Sequence, residues 1–319
     1  LGKTKEEMAA ALKASILCFN VESEPELAAL SEVATSLGRE APVSVRVNPD
    51  IDAKTHKKIA TGKAENKFGI PISRAREVYA TAAKLPGLRI AGVDMHIGSQ
   101  ITELAPFDNA AALLAELARE LLREGHKIEH IDLGGGLGIP YRPDDPEPPP
   151  PSAYAQTILR HTRRLGLRHI FEIGRMIVGN AGILVTRVLY VKRGEAKTFV
   201  VVDAAMNDLI RPTLYEAYHH IRPVRAPVAG EKIVADVVGP VCESGDFFAH
   251  DRRLPACKEG DLLAIMTAGA YGAAQASTYN TRPLVPEVLV RGKEFALVRP
   301  RFTAEAIIAL DRLPPWLSA

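Results

Sequence analysis

Ile128-Glu129-His130-Ile131-Asp132-Leu133-Gly134-Gly135-Gly136-Leu137-Gly138 is the stretch on which the fold turns. Ile128 to Leu133 reads as a strand. The consecutive glycines after it let the backbone turn sharply and allow amide N–H groups to converge on an anion. A phosphate is the natural guest, and a plain flexible turn is the competing reading. A dinucleotide is disfavoured, because no capped helix follows at once and no acidic strand end lies about 20 residues further on.

On the N-terminal side of this stretch strand and helix alternate. Thr4, with Glu7 at the third position beyond it, caps a helix running to about Ala14, and Ile16 to Val21 reads as a buried strand. Glu24 to Leu37 is the next helix. Val43, Val45 and Val47 alternate with Ser44 and Arg46 in a strand, a polar loop follows to about Gly69, and Ser73 to Lys84 is helical. Ile90 to His96 is another strand. Phe107 to Arg123 carries Leu114, Leu117 and Leu121 on one helix face, with Gly125 placed to end it. On the C-terminal side come a proline-rich loop from Pro143 to Pro151, a helix from about Ala153 to Arg164 and a strand from about His169 to Glu172. Such alternation is the pattern of a parallel α/β fold. About five strand-helix units are fewer than a closed barrel needs, so either the sheet is open or the chain begins part-way into a TIM-like (β/α) barrel.

Beyond residue 180 the pattern changes to short strands separated by turn residues, among them Ile183 to Tyr190, Thr198 to Asp203, Ile233 to Val238 and Leu262 to Met266. This predicts a β-rich second domain. The boundary is expected near Asn180 to Gly182, giving domains 1–180 and 181–319.

Composition narrows the function. The 319 residues are 47% hydrophobic and 24% charged, with a formal net charge of +2. Acidic and basic residues are interspersed, which gives no footprint for nucleic acid or for an anionic membrane, and leaves a small molecule as the expected partner. No apolar run approaches the ~18 residues of a membrane span, and the opening residues lack the apolar core of a signal peptide, so a cytoplasmic location is expected. Cys18, Cys242 and Cys257 are too scattered for a disulfide framework and lack the paired spacing of a zinc site. No metal is expected, and each thiol defaults to a buried one unless its context argues otherwise.

Three polar constellations fall just after predicted strands, at the carboxyl ends where parallel α/β folds place ligands. His96-Ile97-Gly98-Ser99-Gln100 is the first; a lone histidine is more often structural, but this one ends an apolar strand and precedes a glycine and a hydroxyl. The glycine turn is the second. Glu172-Ile173-Gly174-Arg175 is the third, and by itself it reads equally as a surface ion pair. Together they supply a group to stack on a ring, a phosphate cradle and a carboxylate. Those are the needs of pyridoxal 5'-phosphate.

The same segments resemble successive signatures of the fold-type III pyridoxal-phosphate-dependent decarboxylases, which join a TIM-like barrel to a β domain. Gly239-Pro240-Val241-Cys242-Glu243-Ser244-Gly245-Asp246 resembles their catalytic cysteine segment. Arg211-Pro212-Thr213-Leu214-Tyr215, Gly269-Ala270-Tyr271-Gly272 and Tyr279-Asn280-Thr281-Arg282-Pro283 are similar to segments of the diaminopimelate decarboxylases. The resemblance implies that Glu172 pairs with the pyridine nitrogen and that His96 stacks on the ring. It assigns Ser99, the backbone of Gly134, Gly135 and Gly136, and the amides around Gly174 to the phosphate, with Arg175 beside them and Tyr279 closing the site. For a meso-diaminopimelate substrate, Arg175 and Arg211 would fork onto the distal carboxylate with Tyr215 assisting, and Glu243 would hold the distal ammonium. Cys242 resembles the family's proton donor; a free thiol is mostly protonated at neutral pH and can give that proton up. In this family the cysteine segment reaches the cofactor from the partner subunit, which implies a homodimer.

Two departures from the family pattern stand out. The segment bearing its Schiff-base lysine lies upstream of the match to Leu1, so the first barrel units are expected to be missing here and the 319 residues alone to be inactive. Lys54, Lys57, Lys58, Lys63 and Lys67, in or beside the loop after Val47, are not assigned that role. Ile173 stands where the family usually has proline. The alternatives are a non-catalytic relative that binds a ligand or partner, and a decarboxylase of the same fold acting on carboxynorspermidine.

Overall fold

The computed structural model describes residues 1–51, 62, 67–225 and 231–317. Lys54, Lys57, Lys58 and Lys63 lie outside the described residues, whereas Lys67 lies within them. Two compact units emerge, Leu1–Ile139 with Pro146–Met176, and Pro140–Asp145 with Ile177–Ala319.

In the first unit the chain runs α1 (Lys5–Lys13), β1 (Phe19–Val21), α2 (Glu24–Ser36), β2 (Ala41–Asn48), β3 (Ile70–Pro71), α3 (Ala75–Ala82), β4 (Leu88–Met95), α4 (Ala105–Arg123), β5 (His130–Asp132), α5 (Pro151–Thr162), β6 (Arg168–Ile170) and α6 (Gly174–Val178). The strands pair in parallel in the order β1-β2-β4-β5-β6, with the short β3 added beside β2. No reversal of strand order occurs along this path. Sequential order without a switch point belongs to barrel-type sheets rather than to doubly wound ones, so this unit is part of a TIM-like barrel. The helices bury their apolar faces on the sheet: Leu114, Leu117 and Leu121 of α4 join Val43, Val45, Val93 and Ile131 in one core.

Local chemistry moves several element ends from their expected places. The capping box forms as read, with Thr4 accepting from the Glu7 amide and the Glu7 carboxylate accepting from the Thr4 amide. The expected strand from Ile16 begins only at Phe19. Ser15 takes a positive φ of 56° and the amide of Ile16 bonds back to the Ala11 carbonyl, so Ile16 closes the helix instead of opening the strand. Similarly, α5 begins at Pro151 and not at Ala153, because a proline at the first helical position needs no amide partner and already has helical φ.

The second unit is built on β7 (Leu184–Arg193), β8 (Thr198–Val202), α7 (Arg211–Tyr215), β9 (Ile221–Pro223), β10 (Lys232–Val238), β11 (Phe247–Pro255) and β12 (Leu262–Ile265). They form a mixed sheet in the order β11-β10-β8-β7-β12-β9, antiparallel except at β10–β8. Val188, Val200, Val202, Val237, Phe248, Leu263 and Ile265 make its own core. A separate antiparallel hairpin follows, β13 (Glu287–Arg291) with β14 (Glu294–Arg299), and then α8 (Ala304–Ile308). Among the described residues no helix is long and apolar enough to cross a membrane, and no cluster of His, Cys, Asp and Glu could hold a metal ion.

Candidate active site

The carboxyl ends of β4, β5 and β6 bring the three constellations of the first unit together. The Gly135 amide donates to His96 Nδ1 at 3.0 Å, and the Glu172 amide donates to the Gly134 carbonyl at 2.8 Å. One guanidinium nitrogen of the buried Arg175 donates to Ser99 Oγ at 3.1 Å. Packing is tight enough to demand glycine: a Cβ on Gly135 would stand 2.3 Å from the Glu172 carbonyl oxygen, and one on Gly136, whose φ is +107°, would stand 2.4 Å from that of Gly98.

Three converging amides were expected from the glycine turn, and the structure narrows that expectation. The Gly134 amide donates to Asp132 Oδ1 at 2.9 Å and the Gly135 amide is engaged by His96, so among the described residues Gly136 alone of the three has no such partner for its N–H. A local Asx-type turn and a cross-strand imidazole have taken the other two.

Charge is distributed unevenly beneath this turn. Burial, aided by the nearby Arg46 cation, pushes the His96 imidazole down to about 4, so it is neutral. Burial and the neighbouring Asp132 carboxylate raise Glu172, although its side chain still reaches solvent. A carboxylate raised in this way gains by meeting a cation such as a protonated pyridine nitrogen. A flat neutral imidazole, an acid, a hydroxyl, a guanidinium and a remaining amide form a donor and acceptor set that fits pyridoxal phosphate.

In the second unit the remaining candidates are also drawn together. The buried Asp246 carboxylate accepts from the Met206 amide at 2.6 Å and from the Val241 amide at 2.7 Å, which fixes the loop carrying Cys242 and Glu243. Thr213 Oγ1 donates to the Gly245 carbonyl at 2.5 Å, joining α7, with Arg211 and Tyr215, to that same loop. Buried Asn207 donates to the carbonyls of Ser277 and Tyr279 at 3.1 and 2.9 Å, and Gln275 Nε2 lies 3.4 Å from the Tyr215 hydroxyl. The default of a buried thiol is corrected by the structure: Cys242 is exposed, and Cys18 and Cys257 are half-buried. The loop from Gly239 curls around Asp246 and turns Cys242 outward.

Residues 2–179 match the family described as pyridoxal-dependent decarboxylase, pyridoxal binding domain. The diaminopimelate decarboxylase of Zymomonas mobilis is 51% identical over 99% of this chain and 75% of its own length, and that of Vibrio cholerae is 52% identical with the same coverage. The chain belongs to the diaminopimelate decarboxylase family. Its fold follows suit: the crystal structure of diaminopimelate decarboxylase from Helicobacter pylori complexed with L-lysine aligns with a TM-score of 0.92 at 43% identity, covering 97% of this chain and 77% of that one.

Within each unit of this member of the diaminopimelate decarboxylase family, several residues that hold the candidate side chains in place were not singled out from sequence. Asp132, two positions before Gly134, had a legible signal in its Asx spacing. Asn207, His219 and Tyr141 had none, since their partners lie 70 or more, 47 and 70 or more positions away in some contacts and only the fold unites them.

Proposed function

We propose that the polypeptide carrying these residues decarboxylates meso-diaminopimelate to L-lysine and CO2 with pyridoxal 5'-phosphate. The convergence of His96, Gly135 and Glu172 at the ends of three parallel strands carries the reading, in a chain whose relatives bear that name. When bound, the cofactor supplies the electron sink that takes up the pair left as CO2 departs, while the protein supplies orientation and electrostatics. Residues 1–180 would form the cofactor-binding domain and 181–319 the domain that carries the cysteine.

Glu172 would keep the pyridine nitrogen protonated, and the neutral His96 ring would face the cofactor without adding a competing positive charge. Ser99, Arg175, the Gly136 amide and the amides that follow Gly174 would hold the phosphate, with Gly134 and Gly135 shaping the turn and Tyr279 against it. Arg211 would receive the carboxylate at the non-reacting end of the substrate, with Arg175 and Tyr215 nearby, and Glu243 would receive the ammonium there. Exposed Cys242 would return a proton to the carbon that lost CO2.

We further propose a cytoplasmic homodimer in which each Cys242 serves the partner subunit's site. The outward position of Cys242 and Glu243 supports that reading. Mixing subunits bearing Cys242→Ala with subunits bearing Glu172→Ala should restore activity that neither variant has; no recovery on mixing rejects shared sites.

The test of the reaction is direct. The polypeptide carrying these residues, loaded with pyridoxal phosphate, should release CO2 and L-lysine in equal amounts from meso-diaminopimelate. Turnover of carboxynorspermidine with none of diaminopimelate would overturn the assignment.

A further inference from the structure

Arg211 opens α7 with only 6% of its surface exposed, and its surroundings within the second unit are specific. Its Nη1 lies 2.8 Å from Nε2 of His219, and its guanidinium lies over the Tyr141 ring, 4.5 Å from the centroid. Tyr141 meets His219 edge-on, with ring centroids 5.3 Å apart and planes at 83°. His219 is fully buried, and its other ring nitrogen, Nδ1, is 2.9 Å from the Met266 carbonyl.

Chemistry fixes the tautomer. A carbonyl only accepts, so Nδ1 carries the proton; a guanidinium only donates, so Nε2 presents its lone pair. His219 is therefore a neutral relay, with one nitrogen on Arg211 and the other on the backbone just after β12. The Met266 amide in turn donates to the His220 carbonyl at 2.8 Å, and Arg252 donates to the His219 carbonyl at 2.8 Å, so the backbone carbonyls of His219 and of the residue after it are both held. Tyr141 is anchored as well: its amide donates to Asp145 at 2.9 Å, and the adjoining Arg142 stacks on Tyr218, whose ring also lies against Arg252.

We propose that His219 and Tyr141 are positioning residues that fix the plane of the Arg211 guanidinium and thereby set the preference for substrates with a carboxylate at the non-reacting end. The proposal rests on the reading of Arg211 as the group that receives that carboxylate. A long flexible side chain held in one plane has less freedom to lose when a two-oxygen ligand binds, and a fork recognises a carboxylate only from the right orientation. His219 also joins α7 to the segment leading into Gly269-Ala270-Tyr271-Gly272, two of the motifs shared with the family.

The experiment compares His219→Phe, His219→Gln, Tyr141→Leu and Arg211→Ala in the pyridoxal-phosphate-loaded enzyme. L-Lysine, which keeps the distal carboxylate, and 1,5-diaminopentane, which lacks it, serve as competing ligands. His219→Phe should raise KM for meso-diaminopimelate and the inhibition constant of L-lysine by about tenfold, with kcat nearly unchanged and 1,5-diaminopentane unaffected. The glutamine variant, whose amide oxygen can accept from Arg211, should recover most of that loss. Tyr141→Leu should give a smaller shift of the same kind, and it decides the matter if His219→Phe does not fold. Equal weakening of both ligands, or no change in either, overturns the proposal. If Arg211→Ala leaves lysine binding intact, the reading of Arg211 itself fails; if it weakens lysine while the His219 and Tyr141 variants do not, the positioning role alone fails.

Discussion

His96 Nδ1 accepts a 3.0 Å hydrogen bond from the amide of Gly135, tying the end of β4 to the glycine turn after β5. The bond requires an unprotonated Nδ1, which agrees with an imidazole pushed down to about 4 by burial first and by Arg46 second, against the opposing pull of Glu22. A histidine whose folded pKa is depressed contributes its stability in full above the unfolded value near ~6.5. That contribution is lost as pH falls through the window from there to about 4. The His96 ring nitrogens should keep the chemical shifts of a neutral imidazole well below pH 6, and His96→Gln should flatten the loss of stability between pH 6.5 and 4. A His96 titration midpoint near ~6.5 would contradict this account.

Two glycines separate close packing from backbone conformation. Gly135→Ala places a methyl 2.3 Å from the Glu172 carbonyl, with rigid backbone on the other side, whereas Gly166 has a φ of +69° and open space around its Cβ position. Gly135→Ala should cost about 1–3 kcal/mol and weaken retention of pyridoxal phosphate. Gly166→Ala should cost about 1–2 kcal/mol through its backbone alone and leave cofactor retention unchanged. Equal cofactor affinity in the two variants would count against the glycine turn as part of the site.

Asp94 lies almost fully buried beside Asp132, and its Oδ1 has no hydrogen-bond partner among the described residues. Burial first, and the Asp132 carboxylate second, raise its pKa well above the usual range. An acid raised on folding makes the fold less stable as pH climbs above the unfolded value near ~3.9. Asp94→Asn should therefore raise Tm, and by more at pH 8 than at pH 5. A variant that is less stable at pH 8 than the parent would show that the carboxylate contributes something burial does not explain.

Asp246 holds the cysteine loop by accepting from two amides, and a Cβ on Gly239 would stand 2.3 Å from its Oδ2. Asp246→Ala leaves both donors without that acceptor and should cost about 1–3 kcal/mol. Amide exchange across residues 239–246 should accelerate, and the rate of CO2 release should fall further than the affinity for diaminopimelate. Unchanged exchange in the loop would mean that Asp246 does not hold it.

Much of this protein is written locally in its sequence. The capping box at Thr4 and Glu7, the apolar stripe of α4 and the alternation of strand with helix depend on neighbours within a few positions, and so they are legible without a fold. The same holds for His96, the glycine turn and Glu172, which follow β4, β5 and β6 at the ends where a parallel sheet gathers its ligands. Even the element ends that shifted, at Ser15 and Pro151, did so through short-range turn chemistry.

Only the tertiary structure decided which donors remain for a ligand and what holds each functional side chain. That the Gly135 amide belongs to His96 is a contact across 39 positions, and that Asn207 clamps the Tyr279 carbonyl is one across 72. The neutral relay from Arg211 through His219 to Met266 likewise depends on β12 arriving 47 positions later. A single sequence specifies periodicity, caps and turns because these involve adjacent residues. It does not display hydrogen bonds between distant segments, because those exist only once packing has brought the segments within about 3 Å of each other.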